Sequence, residues 1–248
     1  MRVAAKLTAA FLFTVTALVA IPSSGAGGFP RFTTGCARAD FASQARTVRA
    51  EFCKAHGGSG GAVVVLHGCG GFSTFDHRLV TSLPRLGLAT YDVDYFGLTP
   101  PPGRKGFCEG GGYDAFGVWT QIAIDAATAL RRLPGVRQVG IVGWSLGSGV
   151  AVRAAAAAGP TRIHALAAFS TGAFGAAAVA ADLPPTILLS GGSTDAIPLR
   201  ETLPLYEALK AARVPAELYV YPHGSHNWPG RQGRLGIQHA ASFLLRYL

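Results

Sequence analysis

Residues 62–66 read Ala-Val-Val-Val-Leu, five apolar positions in a row with a β-branched centre. A strand with one wet face alternates apolar and polar side chains. An unbroken apolar run of this length belongs instead to a strand covered on both faces, as in the interior of a parallel sheet flanked by helices. The rest of the chain is built to suit such a sheet. Further strands are expected at 46–53, 88–94, 138–142, 163–169, 185–190 and 216–221. Helices are expected at 75–87, 113–133, 146–158, 199–212 and 233–248, while the Ala/Gly-rich stretch 171–183 fits neither period. About seven strands alternating with about five helices describe an α/β protein, an open, mostly parallel sheet with helices on both faces. No linker or internal repeat divides the pattern, so residues 27–248 read as a single domain.

The first residues have a different character. Arg2 and Lys6 precede a charge-free run at 8–21, and Ser24-Gly25-Ala26 offers small residues for cleavage, so residues 1–26 are expected to be an export signal. The run is shorter than the roughly 20 residues that span a bilayer. A secreted or periplasmic protein without a stable membrane anchor is expected. The formal charge of +9 comes from 22 Lys and Arg against 13 Asp and Glu, but the cations are scattered. That describes a solvated basic surface rather than a nucleic-acid site, which needs clustering. Export also gives meaning to Cys36, Cys53, Cys69 and Cys108, which allow three disulfide pairings. Cys36–Cys53 and Cys69–Cys108 are favoured: the first ties an N-terminal arm to the first strand, the second one long loop to another. No C-x₂₋₄-C spacing or completing histidine pair argues for zinc.

Gly143-Trp144-Ser145-Leu146-Gly147 falls where a buried strand gives way to a helix. A serine on so sharp a turn takes up strained dihedrals, and only small residues two places either side let the backbone fold that tightly. Its hydroxyl then stands at a helix N-terminus, where N–H groups favour developing negative charge. Such a serine needs a base, and the base needs an acid to orient it. Both are expected on loops after later strands, in the order acid then histidine. Of the carboxylates beyond Ser145, Asp195 alone follows a strand at the carboxyl end of the sheet; Asp182 precedes one, Glu201 and Glu207 fall in a helix, and Glu217 in a strand. His223 and His226 share the loop after the last strand, and His226 has the longer reach; His164 and His239 lie within regular elements. Two amides are expected to receive an oxyanion: Leu146, directly after the serine, and Cys69 in the glycine loop 67–71, with Gly68 or Gly70 as alternatives. His67 is read as a brace for that loop.

Taken together, the 67–71 loop, the elbow at Ser145, Asp195 and the His226 loop resemble the α/β-hydrolase superfamily, and within it the dienelactone hydrolase-related family, from about Thr47 to the C-terminus. Dienelactone hydrolases carry a cysteine nucleophile where this chain has Ser145, so the resemblance implies a serine esterase rather than a dienelactone-specific enzyme. The Leu66-His67-Gly68-Cys69 string is also similar to secreted polyester depolymerases and feruloyl-type esterases. The resemblance implies an α/β-hydrolase fold, a triad of Ser145, Asp195 and His226, no cofactor or metal, and a small-molecule or polymeric ester as substrate. The loop at 97–112 is expected to form one wall of an open cleft, with Trp144, Phe72 and Trp228 as apolar surface and Arg104 and Lys105 as solvated charges. A peptidase or amidase of the same fold, and a catalytically silent binding protein, are the competing readings.

Overall fold

The computed structural model describes residues 35–58, 60–99, 107, 108, 113–172 and 176–248. The proposed export signal and Arg104 and Lys105 lie outside them. Four short strands come first: β1 (Cys36–Arg38), β2 (Phe41–Ser43), β3 (Arg46–Val48) and β4 (Ala50–Cys53). The α/β portion follows as β5 (Gly61–Leu66), α1 (Thr74–Ser82), β6 (Ala89–Val93), α2 (Phe116–Arg131), β7 (Gln138–Trp144), α3 (Leu146–Ala158), β8 (Leu166–Phe169), β9 (Thr186–Ser190), α4 (Leu199–Ala211), β10 (Ala216–Val220) and α5 (Gly230–Leu244).

Eight strands form one sheet in the order β1-β4-β6-β5-β7-β8-β9-β10. All pairings from β6 to β10 are parallel, and β4 and β1 add an antiparallel margin. The reason β5 is apolar throughout is visible in its two faces. Ala62, Val64 and Leu66 pack with Trp119 and Ile122 of α2, Val150 of α3 and Leu205 of α4. Val63 and Val65 pack on the other side with Phe75 and Leu79 of α1 and Ile237 and Phe243 of α5. Each face is thus a hydrophobic core, and burial at about 25 cal/mol per Å² of apolar surface is the main driving force for both.

The strand expected at 46–53 is two strands. β3 leaves the main sheet to pair with β2, and β4 pairs with β6. The β2–β3 turn places Gln44 and Ala45 at φ 49° and 58°, a turn that ordinarily carries Asn-Gly or Gly, which is why the sequence does not announce it. Both expected disulfides are present. Cys36–Cys53 joins register partners on β1 and β4, and Cys69–Cys108 holds the loop after β5. Each stabilises by about 2–4 kcal/mol, mainly by restricting the unfolded chain. Among the described residues the sole tight group of metal-ligand types is Cys36, Glu51 and Cys53, and its two sulfurs are bonded to each other.

The loop after β5 re-enters the core through the cap of α1. Ser73 Oγ accepts the N–H groups of Phe75 and Asp76, while Asp76 Oδ2 receives the Ser73 N–H at 2.8 Å and its hydroxyl at 2.6 Å. Asp76 Oδ1 is buried without a partner. Burial raises its pKa from 3.8 to about 7, against the opposing hydrogen bonds from Ser73. The folded protein therefore holds a proton on Asp76 that the unfolded chain releases near pH 4. This contribution to stability is full below that pH and is lost as pH rises through about 7. Asp76→Asn keeps the acceptor and abolishes the titration. Its melting temperature is expected to gain on the parent's progressively between about pH 4 and 7 and to hold a constant margin above that, worth up to about 4 kcal/mol. A margin independent of pH in thermal denaturation would contradict this assignment.

Candidate active site

β7 runs buried to Trp144 and α3 begins at Leu146, so the chain must reverse at Ser145, which sits at φ 55°, ψ −122°. Such a conformation costs a non-glycine residue about 1–3 kcal/mol and persists only where its surroundings impose it. Here they do. A Cβ on Gly143 would collide with the backbone of Gly147, and one on Gly147 with the carbonyl oxygens of Leu66 and His67. The two glycines let the elbow close on the loop after β5. Ser145 N–H donates to Phe169 O at 3.0 Å, and Ser145 O accepts the Ser148 N–H at 3.0 Å and its hydroxyl at 2.5 Å.

Three side chains from separate loops converge above this turn. Ser145 Oγ lies 2.9 Å from His226 Nε2, and His226 Nδ1 lies 2.5 Å from Asp195 Oδ1. With the Nδ1 proton given to Asp195, Nε2 is the acceptor that faces the serine hydroxyl. The Asp195 side chain is fully buried, while the imidazole remains 22% exposed, so the relay meets solvent at the histidine and not at the acid. Burial works against the Asp195 carboxylate. Hydrogen bonds from His226, from the Ser170 hydroxyl and from the Ile197 N–H outweigh it and hold the group below the usual carboxylate range.

The loop that carries His226 is fastened at several points. Trp144 Nε1 donates to His226 O at 2.9 Å, Thr194 Oγ1 donates to Gly224 O at 2.6 Å, and the Gln232 amide bridges the Ser225 N–H and carbonyl. The other histidines lie elsewhere: His223 is exposed, His164 contacts the Val139 backbone, and His239 meets the Tyr221 hydroxyl. Asp182 is exposed at the end of a short turn of helix.

Leu146 is the first residue of α3, so its N–H lies among the donors left over at a helix start. Cys69 lies in the loop whose first carbonyl packs on Gly147, and the Gly71 N–H closes that loop onto Gly68 O at 3.1 Å. His67 is fully buried, stacked on Tyr95 at 4.3 Å between centroids and flanked by Phe72 and Phe96. Burial lowers its pKa to about 4, so it is a neutral prop rather than a base at neutral pH. Trp228 is not a wall of the cleft, contrary to the reading from sequence. It is wholly buried, its ring packed in the core against Phe75, Phe169 and Tyr221. Ser170, which no sequence pattern singles out, adjoins it at the end of β8 and touches Asp195.

The sequence profile of the alpha/beta hydrolase fold matches residues 61–184, half of the chain. This protein is an α/β-hydrolase family member. The matched stretch holds the loop after β5 and the Ser145 elbow, whereas Asp195 and His226 lie beyond it. No curated protein matches the sequence. Among solved structures, the dienelactone hydrolase of Anabaena variabilis is 22% identical, with 86% of this chain and 98% of that one covered at a TM-score of 0.73. Est1E of Butyrivibrio proteoclasticus, solved with ferulic acid bound, is 14% identical over 84% of this chain and 98% of that one, at 0.68. Dipeptidyl peptidase 4 of Porphyromonas gingivalis is 23% identical over 86% of this chain but 35% of that one, also at 0.68. At these identities the likeness shown is one of fold.

Proposed function

We propose that this α/β-hydrolase is an exported serine esterase that cleaves carboxylic esters through an acyl-enzyme. The observation that carries the reading is the continuous relay from Ser145 Oγ through His226 to Asp195, at 2.9 and 2.5 Å. Ser145 attacks the acyl carbonyl while His226 takes its proton. Asp195 holds the imidazole and stabilises its charged form, and the amides of Leu146 and Cys69 receive the oxyanion. His226 then gives its proton to the departing alcohol, and water releases the acid by the same steps. Export of the chain is supported by the two disulfides and the character of residues 1–26.

Esters are favoured over amides by the structural neighbours covered nearly whole. One is a hydrolase of a dienelactone, a cyclic ester, and another holds a free aromatic carboxylic acid, the product half of an ester. The peptidase neighbour is matched over little more than a third of its length. The test is a panel of short, long, aromatic and polymeric esters beside the matching anilides. Ester cleavage with negligible anilide cleavage is expected. Anilide turnover equal to that of esters would make it an amidase, and turnover of neither would make it a binding protein.

A further inference from the structure

We propose that Ser170 is a positioning residue of this site, whose hydroxyl fixes the Asp195 carboxylate and through it the orientation of His226. The inference rests on the esterase reading above and adds a fourth side chain to it.

Ser170 follows β8 directly and is completely buried, with its N–H bonded to Leu189 O at 2.8 Å. Its φ is 48°, in the left-handed region that a serine enters only at a cost. Ser145 at 55° and Trp228 at 50° share that property, so three strained residues border the same relay. Positive φ also occurs at Gln44, Ala45, Arg213 and His223, so what the Ser170 hydroxyl touches, rather than its backbone angle, carries the role.

The hydrogen bonds define that geometry without ambiguity. Trp228 Nε1 lies 2.9 Å from Ser170 Oγ, and an indole nitrogen can only donate. The serine oxygen is therefore the acceptor there, and its own proton is left for Asp195 Oδ2 at 2.5 Å. Oδ2 also accepts the Gly191 N–H at 3.1 Å, and Oδ1 accepts the Ile197 N–H at 3.0 Å. Three donors thus set the plane of the carboxylate, and the remaining place on Oδ1 is turned toward His226. Trp228 stands two residues beyond His226, clamped between aromatic rings. Ser170 consequently joins the acid loop to the loop that carries the base. A hydrogen bond to an ionised group is about twice as strong as a neutral one, and it acts here on the acid whose direction sets the imidazole.

Alanine and glycine at position 170 separate this role from a purely structural one. Both remove the hydroxyl, but Ser170→Gly also relieves the left-handed backbone and is expected to melt at a higher temperature than Ser170→Ala. Both variants are expected to lose about 10- to 100-fold in kcat on an activated ester, with KM within about twofold of the parent. The low-field proton resonance of the His226 Nδ1–H is expected to move in both. Activity would then follow the hydroxyl while stability follows the backbone. If kcat stayed within about twofold of the parent in Ser170→Gly, or recovered in step with its melting temperature, the hydroxyl would have no positioning role. Ser145→Ala is the control: an inactive control beside active Ser170 variants removes this inference alone, whereas an active control removes the relay and Ser170 with it.

Discussion

Ser145→Ala is expected to lower ester turnover by about 10⁴-fold or more while the protein folds with its melting temperature within a few degrees of the parent's. The size of the effect follows from what the hydroxyl does. In the proposed reaction it supplies the nucleophile, and neither the relay nor the amides can form an acyl-enzyme without it. His226→Ala is expected to fall equally far, since a serine hydroxyl with no acceptor at 2.9 Å keeps its proton. The double variant is expected to be no worse than either single one, because the groups act as one unit. Residual turnover in all three would come from the oxyanion donors alone. Full additivity of the two losses, measured as kcat/KM on an activated ester, would mean that Ser145 and His226 do not work together.

Asp195→Asn carries the second large effect, about 10³- to 10⁴-fold in kcat with little change in KM. The substitution preserves shape but replaces one oxygen by a donor, and every neighbour of Asp195 is itself a donor. If the new amide nitrogen faces His226, the imidazole must carry its proton on Nε2 and can no longer accept one from Ser145. If it faces the other way, it opposes the Ser170 hydroxyl and the Gly191 N–H, and the side chain turns out of the plane that His226 requires. Both arrangements also lose the negative charge that stabilises the imidazolium. An Asp195→Asn protein with more than about a tenth of parental kcat would show that the acid is not needed there.

The parts of this fold that were legible in sequence are those in which a local pattern and the tertiary environment agree. β5 reads as a doubly covered strand because it is one, and the Ser145 elbow reads as a turn because only Gly143 and Gly147 tolerate that closeness. The margin of the sheet was less legible. β1 is three residues long, and the β2–β3 hairpin turns through Gln44 and Ala45, residues with no preference for it. The terminal helix starts three residues earlier than its apolar period suggests, with the Pro229 carbonyl accepting the Gly233 N–H. Within the candidate site, Asp195 and His226 could be placed by strand order, because their loops leave the same end of the sheet. Trp228 could not, since a tryptophan beside a candidate base looks the same in sequence whether it lines a cleft or anchors a loop. Ser170 was invisible for a related reason: its backbone angle and both its partners depend on residues 25 and 58 positions away.

If the histidine beside Ser145 makes its hydroxyl nucleophilic, covalent capture reads it. The parent, Ser145→Ala and His226→Ala proteins would be incubated with a fluorophosphonate and the adducts located by peptide mass spectrometry. The relay predicts a single adduct on Ser145 in the parent, none in Ser145→Ala, and capture slowed by orders of magnitude in His226→Ala. An unmodified parent, or an adduct on any other residue that survives loss of Ser145, would contradict it.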